Sequence, residues 1–160
     1  MNIITQLMGE VCKVILPITE EMYYGNPKSS ICICTLSSIT LLKNIADSDL
    51  MKDINLVGRL FSENKGIDSI IRHVNSNQNL KTLIICGKEV SGHKSGHSLI
   101  DLYNFGMNDD GRIINSISPD PYLTVTQNDV EKFRNNITII DKIDVTNLDE
   151  ISKSVKLFKN

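Results

Sequence analysis

Two of the three histidines in this chain, His93 and His97, stand in one glycine-punctuated stretch, LIICGKEVSGHKSGHSLIDL at residues 83–102. A short apolar run leads into Gly87-Lys-Glu-Val-Ser-Gly92, and a helical pattern starts near Ser95. Several chemistries suit such a turn. G-x-x-x-x-G before a helix suggests a phosphate loop, but that motif needs Gly, Lys and Ser/Thr in direct succession. Here His93 is inserted and Lys94 is displaced by one position. Backbone N–H groups at the helix start can still hold an anion. His93 and His97, four apart, match the H-x-x-x-H spacing of zinc ligands, with no Glu beside them and no third ligand in the motif. An imidazole titrating near neutrality also suits acid–base catalysis. The plainest reading is a histidine that caps or tethers the turn. That reading is preferred for His73, inside a helical pattern, and for His97, one turn into its helix.

A further possibility is a cobalt ligand. His93-Lys94-Ser95-Gly96 has the H-x-x-G form used by corrinoid proteins of the methionine synthase type, with Ser91 where that motif carries Asp. There the histidine leaves a strand end on a loop and reaches the lower face of the metal.

The elements that position this turn are read from periodicity. Residues 30–36 (SICICTL) form a continuous apolar run, as in a strand buried on both faces. Residues 55–61 (NLVGRLF), 82–86 and 136–143 are further strands, and 111–114 a short one. Ile67, Ile70, Ile71 and Val74 recur at helical spacing, so 66–75 is an amphipathic helix. Helices are also expected over 38–45, 95–105 (stopped by Gly106), 126–135 (capped by Thr126) and 148–158. Residues 1–8 suggest a short helix, 11–16 a strand, and 20–27 a loop turning at Gly25-Asn26-Pro27; residues 1–10 read as an irregular extension. Strands alternating with helices predict a Rossmann-like α/β domain spanning 1–160, a predominantly parallel sheet with helices on both faces. Ligands of such sheets sit at the carboxyl ends of strands, near a switch in strand order. The turn after Cys86 is at such an end.

Composition narrows the partners. At 160 residues and a net charge of −2, the chain carries no basic face for nucleic acid, and aromatics at 5% give no base-stacking platform. No apolar stretch approaches the roughly 20 residues of a membrane span, and no secretory signal is evident, so the expectation is cytoplasmic. The four cysteines form no C-x-x-C pair. Cys32 and Cys34, on one face of a strand, suit a soft metal less well than a small apolar core.

Residues 83–116, LIICGKEVSGHKSGHSLIDLYNFGMNDDGRIINS, closely resemble the MtrA family of tetrahydromethanopterin S-methyltransferase subunits. The matches to that family's L-C-G, E-V-x-G-H, G-Q-S, N-G-[IV]-D and R-I-I-G motifs are Cys86, Gly87, Glu89, Val90, Gly92, His93, Gly96, Ser98, Gly106, Arg112, Ile113 and Ile114. Upstream, Gly25, Pro27, Ser29, Thr35 and Leu36 follow its G-D-P-x-S…T-L segment. Glu63, Asn64, Gly66 and Ile67 follow its E-N-x-G-I segment. The resemblance spans roughly residues 14–158. Two departures stand out. The family's G-A-x-G-A-I-P-[YF] is here NSISPDPY, aligned well only at Pro121 and Tyr122. Its usual C-terminal membrane helix has no counterpart in these residues.

The resemblance implies a cobamide-binding methyl carrier (cobalamin or 5-hydroxybenzimidazolylcobamide). It would accept methyl from methyl-tetrahydromethanopterin on cobalt(I) and pass it to coenzyme M or another thiol. His93 would be the lower axial ligand. Its partners would be the subunits that donate and accept the methyl group. A metal-bound histidine normally gives its other N–H to a carboxylate; Glu63, on the loop after the 55–61 strand, is expected in that role, with Ser62 extending the linkage. Gly87, Glu89, Gly92, Ser95 and Gly96 are expected to shape the pocket, and Gly25, Ser29, Thr35, Leu36, Gly58, Asn64, Pro121 and Tyr122 to line it. The alternatives are a non-catalytic cobamide-binding or regulatory paralogue, and a zinc or acid–base enzyme using His93 and His97.

Overall fold

The computed structural model describes residues 21–159. The helix and strand expected over 1–8 and 11–16 lie outside the described residues. Five strands form one sheet: β1 (Met22–Tyr24), β2 (Ile31–Cys34), β3 (Leu56–Gly58), β4 (Thr82–Gly87) and β5 (Thr138–Ile143). Their order across the sheet is β1-β3-β2-β4-β5. β3, β2, β4 and β5 run parallel, with Cys34 opposite both Gly58 and Ile85. β1 runs antiparallel to β3, pairing Met22 with Gly58.

β1 replaces part of the loop expected over 20–27. Its three residues are all exposed, so they carry no alternation by which an edge strand could be read. The short strand expected at 111–114 is reduced to isolated bridges, Met107 with Ile113 and Arg112 with Tyr122. The other expected elements are present, trimmed by a residue or more at several ends.

Helices cover both faces, as the alternating pattern requires. α1 (Ile39–Ala46) and α5 (Leu148–Phe158) pack Leu41, Leu42, Ile45, Ile151 and Val155 against Ile31, Ile33, Val57, Ile84 and Cys86. α2 (Lys65–Ser76), α3 (Ser95–Phe105) and α4 (Gln127–Asn136) cover the other face, against Cys32, Cys34, Leu56, Leu83 and Ile85. Successive residues of β2 and β4 thus face opposite cores, which is why their sequences are continuously apolar. A 3-10 turn, Asp49–Lys52, leads into β3.

After β2 the chain moves to one side of the sheet for β3, then crosses back to the other side for β4. The switch in order therefore falls between β2 and β4, and their carboxyl ends open the crevice where ligands of such sheets bind. The loops leaving these two strands are stitched together. Ser37 donates through its amide and hydroxyl to the carbonyl of Lys88, and the Lys88 amide donates to Ser38 Oγ.

Candidate functional site

Three segments meet at the carboxyl end of the sheet: the loop after β3, the histidine turn after β4, and an irregular strap over residues 112–125. Each has a local reason for its path. Gly87 ends β4 at φ +80°, where a Cβ would come within 2.3 Å of the Thr35 carbonyl. The chain then turns sharply, and Lys94 sits in the left-handed region at φ 50° with no side-chain cap for α3. The cap comes from further back. The Glu89 carboxylate accepts from the amides of Gly96 (3.0 Å) and His97 (2.9 Å), taking two of the helix's orphan N–H groups. Gly96 is needed here because a Cβ would press on the buried Leu36 side chain at 2.8 Å. Ser95 Oγ donates to the Phe61 carbonyl at 2.7 Å, binding the start of α3 to the loop after β3.

That loop delivers Glu63. Its side chain is fully buried, and Oε2 lies 2.8 Å from Nδ1 of His93, itself only 6% exposed. The other oxygen, Oε1, accepts the amide of Asp120 from the strap at 3.0 Å. Asn64 Nδ2 in turn donates to the Asp120 carboxylate at 2.8 Å. An ionised carboxylate only accepts hydrogen bonds, so with Glu63 ionised Nδ1 of His93 is the donor of this contact and Nε2 is the nitrogen left over. No hydrogen bond to Nε2 is made among the described residues. Nor is it sealed in the protein, where the unpaired buried side-chain atoms among the described residues are His73 Nε2 and Asn75 Oδ1. A buried imidazole, locked at one nitrogen by a carboxylate and free at the other, is the donor arrangement an axial metal ligand needs. The residues present therefore fit a corrinoid cobalt.

The expected site residues divide into three groups. His93, Glu63, Asn64, Gly87, Glu89, Gly92, Ser95, Gly96, Thr35, Leu36 and the strap residue Pro121 gather at the carboxyl end; Tyr122 is on the strap and half exposed. Gly25 and Ser29 do not join them. Ser29 precedes β2, and Gly25 follows β1 beside the start of β3, so both lie at the amino end of the parallel strands. There Gly25 accommodates the Met51 and Ile54 carbonyls, and Ser29 Oγ donates to the Asp53 carbonyl. Gly58 lines a different space, an apolar cavity of about 200 Å³ between α2 and the sheet that also borders Cys32, Cys34, His73 and Val74. Ser62 does not extend the Glu63 linkage; its hydroxyl accepts the Gly66 amide at the start of α2.

His97 tethers the turn, as expected for it. Its Nδ1 meets Glu89 Oε2 at 2.6 Å, with the side chain 55% exposed. His93 and His97 are thus held by different carboxylates, and among the described residues no group of three His, Cys, Asp or Glu side chains could hold a metal ion. The thiols of Cys32 and Cys86 are buried; burial first, then the neighbouring Cys34, pushes the Cys32 thiol up to about 12. They behave as core residues. Sequence reasoning misses the strap's serines. Ser118 Oγ donates to the carbonyls of His93 and Lys94. The available signal is the pair of serines, Ser116 and Ser118, in the segment before Pro119.

The model of the MtrA family, the A subunits of tetrahydromethanopterin S-methyltransferase, matches residues 12–160. The A subunit of a putative methyltransferase, Mtx, from Methanosarcina barkeri is 34% identical over 146 residues, covering 90% of this chain and 70% of that protein. The A subunit of tetrahydromethanopterin S-methyltransferase from Methanocaldococcus jannaschii is 33% identical over 141 residues. The A 1 subunit of the same enzyme from Methanothermobacter thermautotrophicus is 34% identical over the same length. The match covers 87% of this chain and 57% of each of these two longer proteins. No helix among the described residues is long and apolar enough to cross a membrane. A match over nearly the whole chain, running through the histidine turn, the Glu63 loop and the strap alike, means that this chain belongs to the MtrA family of tetrahydromethanopterin S-methyltransferase subunits.

Proposed function

We propose that this chain binds a cobamide in the crevice between β2 and β4 and serves as the methyl carrier between a methyl-donating and a methyl-accepting subunit. The methyl group would come from methyl-tetrahydromethanopterin and leave to coenzyme M or another thiol. One observation carries the reading: the buried His93–Glu63 pair, 2.8 Å apart, with Nε2 of His93 left without a partner among the described residues. The cobamide, when bound, supplies a cobalt that takes up and releases a methyl group.

The chain's own residues prepare that chemistry. With Glu63 engaged at Nδ1, Nε2 is the nitrogen that would meet the cobalt. The Asp120 amide holds Glu63 against rotation. Gly96 and Gly87 let backbone and Leu36 pack closely under the turn, so His93 stands on a rigid floor.

The test is a visible spectrum of the purified protein after incubation with hydroxocobalamin and desalting, beside His93→Ala. The expected result is a corrin band in both, displaced in the variant because water or the nucleotide base replaces the imidazole. Identical bands would remove His93 as ligand. No retained corrin in either would remove the cobamide.

A further inference from the structure

Three serine hydroxyls stand in line behind the histidine turn. Ser98 comes from α3; Ser116 and Ser118 come from the strap. All are buried, at 1%, 3% and 2% exposure. Ser98 Oγ lies 2.6 Å from Ser116 Oγ and 2.5 Å from Ser118 Oγ. Ser118 Oγ in turn donates to the carbonyl of His93, with the carbonyl of Lys94 sharing at 3.3 Å.

A hydroxyl has one proton to give. Ser118 gives its proton to the His93 carbonyl, so towards Ser98 it can only accept. Ser98 thereby spends its own proton and must accept from Ser116. The direction is fixed along the whole line: Ser116 to Ser98, Ser98 to Ser118, Ser118 to the His93 carbonyl. Each donor is polarised by the bond it accepts, which strengthens the last one. The far end is anchored too. The Ser118 amide donates to Ser116 Oγ, and Arg112 Nη2 donates to the Ser116 carbonyl at 2.8 Å.

We propose that this hydroxyl chain is the device that positions His93. Glu63 orients the ring; the serine chain holds the backbone from which the ring hangs. The next residue, Lys94, keeps a left-handed conformation unfavourable for a non-glycine residue; the Glu89 cap and the Val90 carbonyl hold the amide side of the turn, and Ser118 holds its carbonyl side. Ser118 is a positioning residue. It acts on His93 through its carbonyl and leaves the imidazole free to bind or release at Nε2. The consequence for a cobamide rests on the function proposed above; the positioning of the ring does not.

The experiment compares Ser118→Ala, Ser98→Ala and Ser116→Ala with the parent. Proton–nitrogen correlation spectra of the isotopically labelled apo protein read the His93 ring. The parent is expected to give one Nδ1–H tautomer. Ser118→Ala should raise the minor ring states by roughly fivefold, the population change that follows loss of one ordinary hydrogen bond. Ser98→Ala should do less and Ser116→Ala least, following the order of the chain. A folded Ser118→Ala with the parent's His93 spectrum overturns the proposal. If urea unfolding shows that Ser118→Ala does not fold, Ser98→Ala decides, because it removes only the hydroxyl that feeds Ser118; an unchanged ring there overturns it equally. Cobalt(II) spin-resonance spectra after loading with hydroxocobalamin and reduction add the functional readout: nitrogen splitting from His93 should weaken in the same order. A parent that takes up no corrinoid defeats the function reading alone, and the apo spectra still judge the serine chain.

Discussion

His93 with Glu63 and His97 with Glu89 are the same chemical pair, an imidazole Nδ1 within 2.8 Å of a carboxylate oxygen, built four residues apart in the chain. Their surroundings make them opposites. Glu63 is fully buried and its partner's side chain is 8% exposed; Glu89 is 15% exposed and its partner's 55%. Glu63 spends one oxygen on the imidazole and the other on the Asp120 amide, so it exists to hold a ring in place. Glu89 accepts three amides, from Val90, Gly96 and His97, so it exists to start a helix. His97 is an addition to that cap. A histidine–carboxylate contact is therefore not a functional signal by itself; burial and the other bonds of the carboxylate decide which partner serves the other.

Deleting each carboxylate should separate the two pairs by stability. Glu63→Ala strands the buried His93 Nδ1–H, at about 1–3 kcal/mol, and also frees the part-buried Asp120 amide, the largest loss in the set. Glu89→Ala removes a helix cap, for about 1–2 kcal/mol. His97→Ala breaks only an exposed pair and should cost no more than about 1 kcal/mol. Urea unfolding at neutral pH measures all three. A His97→Ala loss equal to that of Glu63→Ala would mean that the two pairs are equivalent and burial is not what distinguishes them.

The same contrast explains what is legible from sequence. His93 is readable because a strand end, two glycines and a helix start are local features. Glu63 is readable because β3 and β4 both end at the crevice, on either side of β2, so their loops converge there. Gly25 and Ser29 are assigned to the pocket by motif resemblance, yet a motif does not say at which end of a sheet its residues lie. Here the antiparallel entry of β1 puts them at the amino end. The three exposed residues of β1 carry no pattern at all. The serines of the strap are invisible for another reason: their bonds reach from 118 to 93 and from 116 to 98, and no spacing rule connects irregular segments that far apart. Asp68 is the same case. It is buried on α2 and takes the amides of Thr124 and Val125, fixing the strap's far end.

The smallest expected effect probes the exposed pair through a third group. Asp101 lies one turn beyond His97 on α3. Burial holds its carboxyl above the ordinary 3.8, and the charge of His97 pulls it partly back. An acid whose titration is raised by folding binds its proton more tightly in the folded state, so its ionised form is a liability there. That liability is absent below pH 3.8, grows as pH rises through the raised folded value, and is complete above it. Asp101→Asn should therefore unfold at slightly higher urea than the parent at neutral pH, with the advantage fading on acidification and gone below 3.8. In a His97→Ala background the advantage should grow wherever His97 is protonated in the parent, because the charge that offsets part of the burial is then missing. An equal advantage in both backgrounds would mean that His97 exerts no field on Asp101, leaving its contact with Glu89 as the whole of its role.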